Sequence, residues 1–280
     1  MTSVRSVVAR ETGAGLLATS GRLAAPGCCQ GMSRRSFCRA VWRAPSVELL
    51  DMACRARWRI GLGWALLVAC GAAGADATLC QQGRRQSPID IVAPVRARLA
   101  PLEFHYRSAP LKIANDGHTA RVRLANSSQL KVGRETYTLQ QFHFHTPGGD
   151  RLAGEEFPMA AHLLHKGKSG QLLALVVLFR LGAENPVLKA LLPHIPAGAD
   201  GDHLIAGAVA DPGALLPAGK AYYRYDGSLT ASPCTEGVTW LVMQQPLELS
   251  PEQLRLWRTR FADNIRPPQP LHGRVVQQSW

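Results

Sequence analysis

The chain has 280 residues, 46% of them hydrophobic, enough for one ordinary packed domain plus an extension, which argues against a disordered protein. The net charge of +12 is divided evenly, with +6 in residues 1–77 and +6 over the rest. That longer part has no basic stripe interleaved with aromatics, so the composition argues against a dedicated nucleic-acid binder.

Residues 1–51 are rich in Arg, Ser, Gly and Ala and show no period of 2 or 3.6. Met52 opens a different stretch. Arg55, Arg57 and Arg59 form a positive segment, Ile60 to Ala69 an apolar one, and small residues follow from Gly71 to Ala77. That order is the pattern of a secretory signal, and an apolar run of about ten residues is too short to span a bilayer as a helix. The expectation is a signal over 52–77 and export to the periplasm or medium. Residues 1–51 are then an unstructured extension that need not be translated if Met52 is the start. Leu67-Val68-Ala69-Cys70 resembles a bacterial lipobox, which would put a lipid, and with it a membrane anchor, on Cys70. Ordinary cleavage after Ala75 or Ala77 is the competing reading.

Seven cysteines are present, and five fall at or before the end of the signal. Cys80 and Cys234 remain, and an even pair in an oxidising compartment reads as one disulfide. Chain entropy for so long a loop is worth roughly 4–5 kcal/mol before strain.

From Cys80 onward the pattern is of short strands. Ala120–Leu124 alternates apolar and polar residues, Leu172–Phe179 is a continuous apolar run of central-strand length, and Trp240–Met243 repeats that pattern. Turn signals separate these runs: Asn115-Asp116-Gly117, Pro147-Gly148-Gly149, Asp226-Gly227. A helix is expected over Ser250–Arg260, with Ser250 as N-cap, Pro251 at the first helical position and Glu252 in the first turn. The whole reads as one mostly-β domain over residues 78–280.

Gln141-Phe142-His143-Phe144-His145 stands out. On a strand, residues two apart share a face, so His143 and His145 project together while Phe142 and Phe144 pack behind. Two imidazoles so placed can grip one metal ion. The run His162-Leu163-Leu164-His165 follows a Pro-Gly-Gly turn, so a returning antiparallel strand could supply His162 or His165, though not both from one face.

These residues resemble the zinc-binding core of the α-class carbonic anhydrases. Gln86-Ser87-Pro88-Ile89-Asp90-Ile91, the segment from Gly227 to Trp240 (G-S-L-T-A-S-P-C-T-E-G-V-T-W) and Asn264-Ile265-Arg266-Pro267-Pro268-Gln269-Pro270-Leu271 are similar to three further motifs of that family, in the same order. The resemblance implies a mostly-β fold: a large, twisted, mainly antiparallel central sheet with short peripheral helices. It also implies zinc-dependent hydration of carbon dioxide to bicarbonate and a proton. His143, His145 and His162 are the implied Zn2+ ligands, and His165 falls at a non-ligand position. Three neutral imidazoles leave a fourth tetrahedral position open, and zinc lowers the pKa of a water there to about 7, an effect for which carbonic anhydrase is itself the standard example. Thr230 matches the hydroxyl that orients the nucleophile, His118 the proton shuttle. Leu164, Leu229, Thr230, Ala231 and Trp240 match the pocket that takes carbon dioxide. Bacterial members pair cysteines at the positions of Cys80 and Cys234.

The chain departs from the pattern where two glutamates are expected. Gly149 replaces the one that receives the Thr230 proton, and Ala160 the one that polarises the third ligand. The family's aromatic amino-terminal segment has no match, and Ser232 replaces a proline. The expectation is a zinc enzyme of reduced activity, which returning both glutamates would raise. The competing reading is a non-catalytic relative that keeps the fold as a binding surface.

Overall fold

A computed structural model describes residues 79–125 and 127–280. The expected signal and the extension before it lie outside the described residues, as does Cys70. In chain order the strands are β1 (Asp90–Ile91), β2 (Val95–Arg96), β3 (Leu102–His105), β4 (Ala109–Asn115), β5 (Ala120–Arg123), β6 (Gln129–Val132), β7 (Glu135–His145) and β8 (Arg151–Leu152). They continue with β9 (Met159–Gly167), β10 (Leu172–Leu181), β11 (Asp200–Ala210), β12 (Tyr222–Ser228), β13 (Glu236–Met243), β14 (Leu247–Leu249) and β15 (Gln277–Gln278). Two short helices, α1 (Pro186–Leu191) and α2 (Pro251–Arg258), lie among them.

Thirteen strands form one sheet, whose main path runs β11-β4-β5-β7-β9-β10-β13-β12-β15-β2, and β1 pairs with β8 alone. Pairing is mainly antiparallel; β10 runs parallel to β13 and β14, and β15 to β2. The mostly-β, mainly antiparallel expectation is met.

Alternation divides the central strands between two cores. Phe142, Phe144, Ala161, Leu163, Leu175, Val177 and Leu241 point to the larger apolar cluster. Ala160, Ala174, Val176, Leu178, Val238, Trp240 and Val242 point to a smaller one on the opposite face. The apolar run of β10 is therefore covered on both sides, which is why it shows no alternation of hydrophobicity. Phe142 and Phe144 are fully buried, each worth roughly 1.5–3 kcal/mol in surface removed from water. A one-residue slip of β7 would turn both rings out, so their burial fixes which face His143 and His145 occupy.

Helix α2 begins where its capping residues dictate. The Ser250 side chain accepts from Gln253 N, the Gln253 side chain closes a capping box, and Pro251 opens the first turn. Trp257 is buried from this helix and meets Phe144 edge-on, with ring centroids 4.8 Å apart. The helix therefore presses on the rear of the strand that carries the two histidines.

Cys80 and Cys234 form the expected disulfide. It ties the segment entering the domain to the loop after Thr230.

Candidate metal centre

His143 on β7 lies directly across from His162 on the antiparallel neighbour β9, and His145 lies opposite Ala160. His165 pairs with Leu139, points to the other face, and lies 2.7 Å by its Nε2 from the Tyr106 hydroxyl. The choice between His162 and His165 is thus settled by strand alternation. One nitrogen from each of His143, His145 and His162 lies within 4.8 Å of the others.

The hydrogen bonds around the rings show why a cation fits. His145 Nδ1 lies 3.1 Å from the backbone carbonyl of Asn264. A carbonyl only accepts, so this nitrogen carries the proton. His143 Nδ1 donates in the same way to Gln141 Oε1 at 3.0 Å. The two Nε2 atoms are then bare lone pairs, and they face each other at 3.0 Å. Lone pairs at that distance repel unless positive charge lies between them. Tetrahedral zinc with nitrogen ligands at about 2.0–2.1 Å sets neighbouring ligand atoms roughly 3.3 Å apart. The donor set and its spacing fit zinc.

Burial keeps the rings neutral and able to bind metal. It lowers the pKa of His145 to about 4, against the opposing hydrogen bonds from Asn264. Burial also holds His143 and His162 well below the usual histidine range. His162 has its Nε2 buried with no hydrogen-bond partner among the described residues, and Ala160, two residues upstream on the same face, offers none. Trp240 stands edge-on to this ring at 5.1 Å.

His143 and His145 open onto a cavity of about 690 Å³ whose lining includes His118, Arg121, Thr230, Ala231 and Ser232. His118 is exposed on the turn that Asp116 caps, with its carbonyl accepting from Asn264 Nδ2. Leu164 and Leu229 pack, half-buried, against the smaller core with Trp240. No hydrogen bond involves the Thr230 hydroxyl among the described residues.

Gly149 is not a simple deletion of a carboxylate. Its φ is +88°, and a Cβ there would stand 2.7 Å from Ile265 Cδ1 and 3.2 Å from Pro88 Cγ. A side chain at 149 must adopt a left-handed backbone and displace Ile265, itself part of the cavity wall. The expectation that a glutamate returned to both positions raises activity therefore stands only for Ala160.

The sequence pattern marks the three histidines but not the groups that hold their rings. Gln141 shares the face of His143 two residues away, so β alternation could have found it. Asn264 carries no spacing signal of its own: its carbonyl reaches His145 and its amide reaches His118 from 119 and 146 residues away.

The sequence model of the family described as eukaryotic-type carbonic anhydrase matches residues 73–280. A carbonic anhydrase from Pectobacterium carotovorum is 40% identical over 202 residues, covering 72% of this chain and 82% of that one. The solved α-carbonic anhydrase of Photobacterium profundum is 38% identical with a TM-score of 0.69, covering 73% of this chain and 94% of that one. That of Thermovibrio ammonificans, solved with the inhibitor sulfanilamide, is 39% identical with a TM-score of 0.69, covering 72% and 90%.

Proposed function

The chain belongs to the eukaryotic-type, or α-class, carbonic anhydrases, and from that premise we propose how its own residues carry the reaction. It is a zinc enzyme that hydrates carbon dioxide reversibly to bicarbonate and a proton. When bound, zinc supplies Lewis acidity that makes water a far stronger acid than it is in bulk.

His143, His145 and His162 hold the ion, with Gln141 and the Asn264 carbonyl fixing the tautomers of the first two rings. Their neutrality, enforced by burial, keeps lone pairs available at the pH of the reaction. Leu164, Leu229 and Trp240 offer carbon dioxide an apolar wall beside His162, and Ala231 extends it at the cavity lining. Thr230 lies in the same cavity and orients the attacking oxygen through its hydroxyl. His118, at the exposed rim, passes the released proton to buffer.

The observation that carries this reading is the pair of bare Nε2 atoms facing each other at 3.0 Å with a third imidazole beside them. Stopped-flow hydration of carbon dioxide tests it. Activity that tracks zinc content, is lost on chelation and is blocked by a sulfonamide is expected; zinc-loaded protein without hydration above the buffer rate refutes it.

Export belongs to the same reading. A disulfide that closes the domain supports an oxidising compartment, because such bonds persist there and are rare in a reducing cytosol. The mass of the mature amino terminus tests this: cleavage after Ala75 or Ala77, or a lipid on Cys70, agrees with export, and an intact Met1 contradicts it.

A further inference from the structure

Asp150 is a buried carboxyl to which the reaction above assigns no part. It is 1% exposed. Its Oδ1 accepts from Ile89 N at 3.0 Å and from the Tyr225 hydroxyl at 2.8 Å. Its Oδ2 is buried with no partner among the described residues. A buried acid bonded to two neutral donors and to no cation is costly, and calls for an explanation.

Two routes lead from it to the metal cavity. Along the first, the Tyr225 ring stacks on Trp240 at 5.6 Å and 21°, and Trp240 stands edge-on to His162 at 5.1 Å and 87°. Along the second, the bond to Ile89 N steadies the turn that contains Ser87. Ser87 and Ser228 are doubly joined, backbone N–H to side-chain oxygen each way, both at 3.1 Å. The routes meet at Ser228, whose carbonyl accepts from Trp240 Nε1 at 3.0 Å and which stands two residues before Thr230.

Resting on the hydratase reading, we propose that Asp150 is a positioning residue: through Tyr225 and the Ser87 turn it fixes both the Trp240 ring against His162 and the strand end at Ser228 that leads to Thr230. Burial raises its pKa to about 7, opposed by the two hydrogen bonds and by Arg274. The titratable groups facing it are Tyr225 from β12 and Arg274 from the C-terminal segment. Arg151, Glu156, Asp263 and Arg266 line with it a small cavity behind the metal site.

Asp150→Asn and Tyr225→Phe, singly and together, test this. The first keeps an oxygen for both donors and removes the charge; the second keeps the stacking ring and removes the hydroxyl. On zinc-loaded protein, kcat is expected to fall about 10- to 100-fold in each single variant, with KM for carbon dioxide within twofold. The double variant should be no slower than the slower single, because both break one connection. On zinc-free protein, the Trp240 indole N–H resonance is followed from about pH 5 to 9. It should titrate near neutrality in the wild type and not in either variant.

Folded, zinc-loaded variants with wild-type kcat would overturn the proposal, as would a double variant whose losses multiply, or an indole titration that survives Asp150→Asn. Should Asp150→Asn not fold, Tyr225→Phe alone decides. A wild type that binds zinc without hydrating carbon dioxide refutes the parent reading, while the zinc-free resonance still decides this one.

Discussion

Gly149→Ala probes the loop behind the metal site. At φ +88° an L-residue pays about 1–2 kcal/mol for its left-handed backbone. The new Cβ would also lie 2.7 Å from Ile265 Cδ1 and 3.2 Å from Pro88 Cγ, so Ile265 must shift, and overpacking of this kind costs about 1–3 kcal/mol. Alanine returns about 0.4–1 kcal/mol by restricting the unfolded chain. The net loss is about 1–5 kcal/mol, a large share of a typical stability of roughly 5–15 kcal/mol. Urea unfolding of zinc-free protein reads it directly. Combining the change with Ile265→Ala separates the two costs: the contact disappears, the backbone strain stays, and the double variant is less destabilised than the sum of the singles. A loss below about 0.5 kcal/mol, or strict additivity with Ile265→Ala, would refute the reasoning. Gly149→Glu meets the same obstacles and pushes on a cavity wall, so it is expected to lower hydration.

Ala160→Glu adds a carboxylate on the face and strand of His162, whose Nε2 has no partner; zinc affinity is expected to rise about 10- to 100-fold by equilibrium competition with a chelator, and unchanged or weaker binding would contradict it. Burial lowers the pKa of His165 to about 4 from an unfolded value of 6.5. The unfolded chain therefore binds the extra proton, so this contribution is intact above pH 6.5 and is lost as pH falls toward 4, by roughly 3 kcal/mol. Unfolding of zinc-free His165→Gln across that window should show a correspondingly flatter pH dependence, and an unchanged slope would place the effect elsewhere. Cys234→Ser releases a link between positions 154 apart and should cost about 2–5 kcal/mol in chemical unfolding; wild-type stability in this variant would show that the link contributes nothing.

The parts of the site legible in the sequence were those governed by local periodicity. Alternation in Gln141–His145 gives the shared face of two ligands, and antiparallel return with a three-residue spacing allows only one of His162 and His165. Ser250 and Pro251 mark the start of α2 because capping is a contact between near neighbours. The Asp150 network was illegible, since its donors come from 61 and 75 residues away and the serine, tyrosine and tryptophan involved carry no spacing signal. Gly149 read as the loss of a carboxylate because sequence shows the missing side chain and not the backbone angle or Ile265 behind it. Strand β11 carries no such signal: it forms one end of the sheet path and is mostly exposed, so neither an apolar run nor a buried alternation marks it.

Anomalous diffraction at the zinc edge, on crystals of protein purified without added chelator, asks the central question most directly. One peak per chain, about 2.0–2.1 Å from a nitrogen of each of His143, His145 and His162 and with a fourth position open to solvent, is the expected result. Zinc-replete protein with no peak among those three rings, or with a peak elsewhere in the chain, would contradict it.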